Sequence, residues 1–167
     1  TPTGGPGFMT VRQGFAEYAA AGFGPGTPEF EAMRARYDAE IRDVDGAIAT
    51  LLDAFDEAGL TEHTIFLITA DHGEEFMEHG FIDHSWTLYN EVLHVPFIVY
   101  APGRVAPGVV EAPASLVDLY PTALALLDLP APEGLDGQSL RQPGAGPIAL
   151  RGRTGPVYAY MLLQERS

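Results

Sequence analysis

Cysteine is missing from all 167 residues. This excludes disulfides and thiolate zinc sites within the chain, and any cysteine nucleophile drawn from these residues. Lysine is missing too. All nine basic residues are arginine, which reads as a composition bias of the source rather than a special use of Arg. Positive charge is scarce: 23 acidic side chains outnumber the basic ones, for a formal net charge of −14. A nucleic-acid surface needs a basic patch, so no nucleic-acid partner is expected. No run approaches the roughly 20 apolar residues of a membrane span, and no signal-peptide pattern opens the sequence. The first residue is Thr1 rather than Met. A preceding portion is therefore expected to be missing, and the compartment stays open.

What is present is enough for one domain with a real core. Hydrophobic residues make up 46% and aromatics 10%, which suits a folded protein rather than a disordered one. An acidic protein that binds an anion needs local positive charge, and a metal ion is its most compact source.

Residues 1–26 form a Gly/Pro/Ala-rich segment that reads as loop or disorder, with some local helix around Val11 to Ala21. Residues 27–167 read as the folded portion. Thr27 is a good N-cap, Pro28 suits the first helical position, and Glu29 and Glu31 favour the positive end of the helix dipole. Apolar residues then recur at Tyr37, Ile41, Val44, Ile48, Leu51, Leu52 and Phe55, tracing one helical face. Gly59 is a natural stop. This predicts a long amphipathic helix covering a sheet. Asp38, Asp45 and Asp56 on it read as solvated or capping residues.

A short connection leads to an apolar strand over 64–69, whose interior does not alternate with polar residues. That pattern suits a parallel strand covered on both faces. A second apolar strand is expected over 95–100, with Pro96 near its start or at an edge. Between them, Ser85 to Leu93 has helical spacing at Trp86, Tyr89 and Leu93. Further on, 105–113 reads as loop with a short strand near Val109. A helix is expected over about 115–129, capped by Ser115 with Asp118 or begun later from Asp118. Leu124, Leu127 and the flanking alanines should form its buried face. A last strand is expected over 156–161. Helix, short loop and apolar strand are the grammar of an α/β fold.

The chemistry concentrates at Ala70-Asp71-His72-Gly73, just past the carboxyl end of the first strand. Open α/β sheets place their ligands there. A carboxylate and an imidazole in adjacent positions can reach one cation if the backbone turns, and Gly73 permits the turn. The plain alternative is an Asp cap beside a partly buried His. His79 and His84 follow at spacings of seven and five, which match no compact zinc motif. His84 reads as a site residue and His79 as structural. Glu74, Glu75 and Glu78 read as loop charge, His94 as packing and His63 as a loop residue.

At these residues the chain resembles a known family. Ala70-Asp71-His72-Gly73-Glu74, Glu78-His79-Gly80, His84, Leu88-Tyr89, Glu91 and Val95-Pro96 together resemble the C-terminal part of a sulfatase, in the alkaline phosphatase superfamily. Tyr37-Asp38 with Ile41 and Asp45 resembles the helix before that loop. Ser115 to Thr122 and Leu135 to Leu140 resemble two later segments. The resemblance covers about Tyr37 to Leu140, and residues 1–36 do not match.

The resemblance implies an α/β fold: a partial alkaline-phosphatase-like sandwich with mostly parallel strands flanked by helices. It implies that Asp71 and His72 complete a divalent-metal site. Calcium is usual in sulfatases, with manganese or zinc as alternatives. It implies that His84 contacts the sulfate or phosphate group. It also implies a formylglycine nucleophile, made from Cys or Ser, in an upstream half of the domain that these residues lack. The implied reaction is hydrolysis of an anionic sulfate monoester, with little or no activity from this chain alone. Two rival readings remain. One is a single-metal phosphonate or phosphate ester hydrolase, or a phosphoethanolamine transferase, of the same superfamily. Two-zinc members need an Asp-x-x-x-His pair, and none precedes Asp71. The other is a non-catalytic α/β interaction module.

Overall fold

A computed structural model describes residues 18, 20, 22–85, 87–143, 148–157 and 159. Helix α1 (Pro28–Glu57) is followed by a 3₁₀ turn (Thr61–His63), strand β1 (Phe66–Thr69), and two short strands, β2 (Glu75–Phe76) and β3 (Ile82–Asp83). Helix α2 (Asn90–Leu93), strand β4 (Phe97–Tyr100), a second 3₁₀ turn (Leu116–Asp118) and helix α3 (Leu119–Leu126) complete the order. The chain divides into two units. One holds residues 1–49, 72–93 and 161–167; the other holds 50–71 and 94–160.

The ends of α1 follow from local chemistry. The Phe30 N–H donates to the Thr27 hydroxyl, which itself donates to the Gly24 carbonyl at 2.8 Å. The cap thus satisfies one of the helix's orphan amides. At the other end Gly59 takes φ +66°, and the Leu60 N–H reaches back to the Phe55 carbonyl at 2.9 Å. This closing bond and the left-handed glycine form a Schellman-type stop.

In the first unit, Phe30 and Val92 are buried. Phe30 meets Phe23 edge-on, and Tyr37 meets Phe76 with ring centroids 5.0 Å apart. β2 and β3 form an antiparallel hairpin with Glu75 opposite Asp83. In the second unit, Phe55 at the end of α1 packs edge-on against Phe66 of β1. Ala101, Leu126 and Leu140 are buried there. Its polar tie is Asp118, which is fully buried. Asp118 accepts the Ser115 N–H at 3.0 Å and the Gln138 N–H at 2.9 Å, and pairs with the Arg153 guanidinium.

Four expectations are corrected. β1 pairs with β4 antiparallel, with Phe66 opposite Tyr100 and Thr69 opposite Phe97. Among the described residues, the segment between them holds the β2–β3 hairpin and the single turn of α2, not a crossover helix that would return the chain in the same direction. Both strands are also less covered than the sequence suggests: β1 is half-buried, and Ile98 and Tyr100 of β4 are exposed. The apolar stripe of α1 is largely uncovered, with Ile41 53%, Val44 58% and Leu51 50% exposed. Periodicity marks a face able to be buried; burial requires a neighbour at that depth, and among the described residues these side chains have too little around them. In α3, Leu126 and Thr122 are buried while Leu127 is exposed, because the helix ends at Leu126 and Leu127 is its non-helical C-cap residue.

The helix expected over Ser85 to Leu93 shortens to Asn90–Leu93, and Trp86 lies outside the described residues. Val109 is exposed loop; the pairing nearby is a parallel bridge from Val105 to Ile148. The expected helix near Val11 and most of the expected strand over 156–161 also lie outside the described residues. Pro96 stands just before β4, as a residue without an N–H should. No helix among the described residues is long and apolar enough to cross a membrane.

Candidate functional site

The polar residues after β1 are arranged by three backbone constraints. Gly73 donates its N–H to the Val92 carbonyl at 2.7 Å, seating the loop on α2. The approach is so close that a β-carbon on residue 73 would lie 2.0 Å from the Glu91 carbonyl oxygen. Glycine is needed here for space, not for a positive φ. The β2–β3 hairpin is the second constraint: the Met77 N–H donates to the Phe81 carbonyl across its turn at 2.6 Å. The third is Asp83, which sits at φ +95°. Non-glycine residues rarely adopt that region, and such outliers cluster at functional sites.

These constraints bring His72 and His84 into face-to-face contact, with ring centroids 3.7 Å apart and planes 21° from parallel. His72 Nδ1 lies 2.8 Å from the Gly73 carbonyl oxygen. A carbonyl only accepts, so Nδ1 carries the proton of this contact and Nε2 is the nitrogen left able to bind a cation. His84 Nδ1 lies 3.0 Å from Glu74 Oε2 and 3.4 Å from Asp83 Oδ1. The Asp83 carboxylate accepts the Ser85 hydroxyl at 2.8 Å and the backbone N–H groups of His84 and Ser85. Burial works to raise its pKa. The Ser85 hydroxyl, the His84 amide and the His84 charge outweigh that and leave it lowered, so Asp83 is ionised at neutral pH.

One ligand atom each from Glu74, Asp83 and His84 falls within 4.8 Å of the other two. Three such groups can share a cation. They can equally work without one, because a His84 Nδ1–H bound to Glu74 turns Nε2 outward as a second donor. In the first arrangement His84 is a ligand; in the second it is a cationic donor to an anion, with Glu74 setting the ring's orientation.

The sequence singles out Asp71, His72 and His84. The structure joins His72 to His84 and adds Glu74 and Asp83, which sequence reasoning set aside as loop charge or did not name. Glu74, just before β2, is partly exposed, whereas Glu75, the first residue of β2, is fully buried, and no sequence signal separates the two. Asp71 precedes His72 directly in the chain. His79 stands apart from the stacked pair, on Tyr89, with ring centroids 3.5 Å apart. Asp38, Asp45 and Asp56 are all exposed on α1, in line with a solvated role.

Comparison with known proteins adds the following. The Sulfatase family model matches residues 5–129. That match begins well before Tyr37, where the motif resemblance starts, so residues 1–36 are not wholly foreign to the family. It ends before the Leu135 to Leu140 segment. Arylsulfatase K of Bos taurus is 37% identical over 112 residues, covering 67% of this chain and 21% of that protein. A solved structure of BT4656 in complex with its substrate D-glucosamine-2-N,6-O-disulfate shares 30% identity at a TM-score of 0.51, covering 60% of this chain and 20% of the other. The phosphonate monoester hydrolase SpPMH from Silicibacter pomeroyi shares 36% identity at a TM-score of 0.54, covering 58% and 19%. The chain thus spans about a fifth of the length of the relatives it matches.

Proposed function

The chain belongs to the sulfatase family, and on that premise we propose that it supplies the metal- and anion-contacting loop of a hydrolase of sulfate monoesters. The observation that carries this reading is the His72–His84 stack with Glu74 behind it. On this reading the His72 nitrogen that would bind the ion stands beside a His84 donor suited to an anionic ester.

Asp71 and His72 are the residues that would hold a divalent ion, calcium in the first instance. The donor set suits a divalent ion: the carboxylate is the oxygen donor calcium takes, and the imidazole, with its Nδ1–H tied to Gly73, is the donor that manganese or zinc would use. When bound, such an ion supplies positive charge to the ester oxygens as a Lewis acid. The chain's own contribution is orientation. Glu74 accepts from His84 Nδ1 and aims Nε2, which in the imidazolium form donates to a non-bridging oxygen of the substrate. Gly73 fixes His72 through the bond to Val92.

The 167 residues contain no cysteine, and none of their serines stands in the Cys-x-Pro-x-Arg-like context from which a formylglycine is made. The chain assayed alone is therefore expected to turn over an aryl sulfate little or not at all. Robust metal-dependent turnover would overturn its reading as a partial site. Calorimetric titration with calcium tests the other half: Asp71→Asn and His72→Ala should each weaken binding at least tenfold. Binding that ignores both substitutions counts against these ligands and leaves a non-catalytic module as the better account.

A second reading is favoured by one observation, the similarity to a phosphonate monoester hydrolase at 36% identity. The same donors suit a phosphonate or phosphate ester, which is also tetrahedral and anionic. Competition between sulfate and methylphosphonate for the calcium-loaded chain separates the two.

A further inference from the structure

We propose that His79 is a positioning residue, tying the hairpin that carries Glu74 and His84 to the turn on which the His72 loop is seated. The proposal rests on the reading of His72 and His84 as the working pair and extends it to the device that holds them together.

The device is a pair of acids with one imidazole between them: Glu75 is fully buried, and Glu91 is partly exposed with its Oε2 buried. Glu75 in β2 has no exposed surface. Its Oε2 accepts the Thr87 hydroxyl at 2.7 Å and its Oε1 accepts the His79 N–H at 3.1 Å. His79 Nδ1 lies 3.7 Å from Glu75 Oε1 and 3.7 Å from Glu91 Oε2. Glu91 Oε2 is itself buried and has no hydrogen-bond partner among the described residues. Two carboxylates thus face one another across a single ring nitrogen. A buried carboxylate oxygen without a donor is costly, and the His79 ring nitrogen is the group placed beside that oxygen and beside Glu75 alike.

Position makes this tie consequential. Glu75 lies between Glu74 and the rest of β2, and pairs with Asp83, the residue before His84. Glu91 lies in α2, and its carbonyl is the atom against which Gly73 is pressed. One arm of the His79 tie therefore ends beside His84, and the other ends beside His72. The flat stack of His79 on Tyr89, 14° from parallel, holds the ring in the plane that reaches both acids. The sequence offers His79 only as a structural histidine; its placement between two acids on separate segments gives that role a specific consequence.

The test is imidazole NMR on the full chain without metal or substrate, reading the ring protons of all five histidines. His79→Phe keeps a ring over Tyr89 but removes the nitrogen. It should shift the His72 and His84 signals downfield, as their mutual shielding is lost, and leave His63 and His94 in place. His79→Gln restores a donor and should bring both signals back toward their original positions. Glu91→Gln removes one charge without changing shape and should give the same confined shift, which keeps the proposal testable if His79→Phe fails to fold. Unchanged His72 and His84 signals in His79→Phe and Glu91→Gln overturn it. So does a shift spread equally over His63 and His94, which marks general loosening. Because neither ion nor ester is present, failure of calcium or sulfate binding in the unmodified chain would count against the proposed function and not against this tie.

Discussion

The rings of His72 and His84 lie 3.7 Å apart, although twelve positions separate them in the chain. Neither residue makes this contact by local geometry. His72 is held by the seating of Gly73 on Val92, and His84 by the β2–β3 hairpin and the turn at Asp83. The stack is therefore a readout of both segments, and the first prediction concerns its seat.

Gly73→Ala is expected to destabilise the first unit. A β-carbon there would lie 2.0 Å from the Glu91 carbonyl, a backbone atom that cannot rotate away. Overpacking of this kind costs about 1–3 kcal/mol, and the upper end applies because main chain must move. Gly46→Ala is the contrast: nothing lies within 4 Å of its β-carbon on helix α1. It should stabilise the chain by about 0.5–1 kcal/mol. Urea unfolding of both variants checks the difference in sign.

Asp118→Ala is expected to cost the second unit about 3–5 kcal/mol, the range for breaking a buried ion pair by removing one partner. The carboxylate is fully buried, and its removal leaves the Arg153 guanidinium and the Ser115 and Gln138 amides without their acceptor. A fall in the urea midpoint comparable to that of a surface substitution would contradict this. Asp118→Asn should fall between the two, since it keeps an acceptor oxygen but loses the charge.

Asp128 gives the pH dependence. Its carboxyl is lowered from the ordinary value of 3.8, first by the hydrogen bond from Arg141 and then by the Arg141 charge, with desolvation opposing and the Arg104 charge adding least. A lowered folded-state value means that the contribution is fully present above 3.8 and is lost as pH falls through the lowered value. Asp128→Asn should therefore lower stability on the neutral side and flatten the acid side, the two proteins converging as pH falls below the lowered value. Asparagine tolerates the φ of +56° at this position, so the substitution isolates the charge. The pair is exposed, and 1 M salt should reduce the difference. Equal acid slopes in the two proteins would sink this assignment.

The parts legible in the sequence are those governed by neighbours along the chain. Thr27, Pro28 and Gly59 announce the ends of α1 because capping is a matter of a few residues. Pro96 places the start of β4 for the same reason, and Asp71-His72-Gly73 stands out through its position after an apolar strand. The parts that were not legible depend on the third dimension. The run Phe66 to Ile68 reports hydrophobicity but not the direction of its partner. The spacing of Ile41, Val44 and Leu51 reports a shared face but not whether anything covers it. Glu74 and Glu75 look alike as letters. Only the hairpin distinguishes the acid that orients His84 from the acid buried beneath it.

Gly73 carries one more consequence. Along the loop, the other positions act through what their side chains can donate, accept or bind. At 73 the only property that counts is volume, because two stretches of main chain touch there with no room for a methyl group. A protein engineer could vary the charges around this loop, but would have to leave that one gap empty.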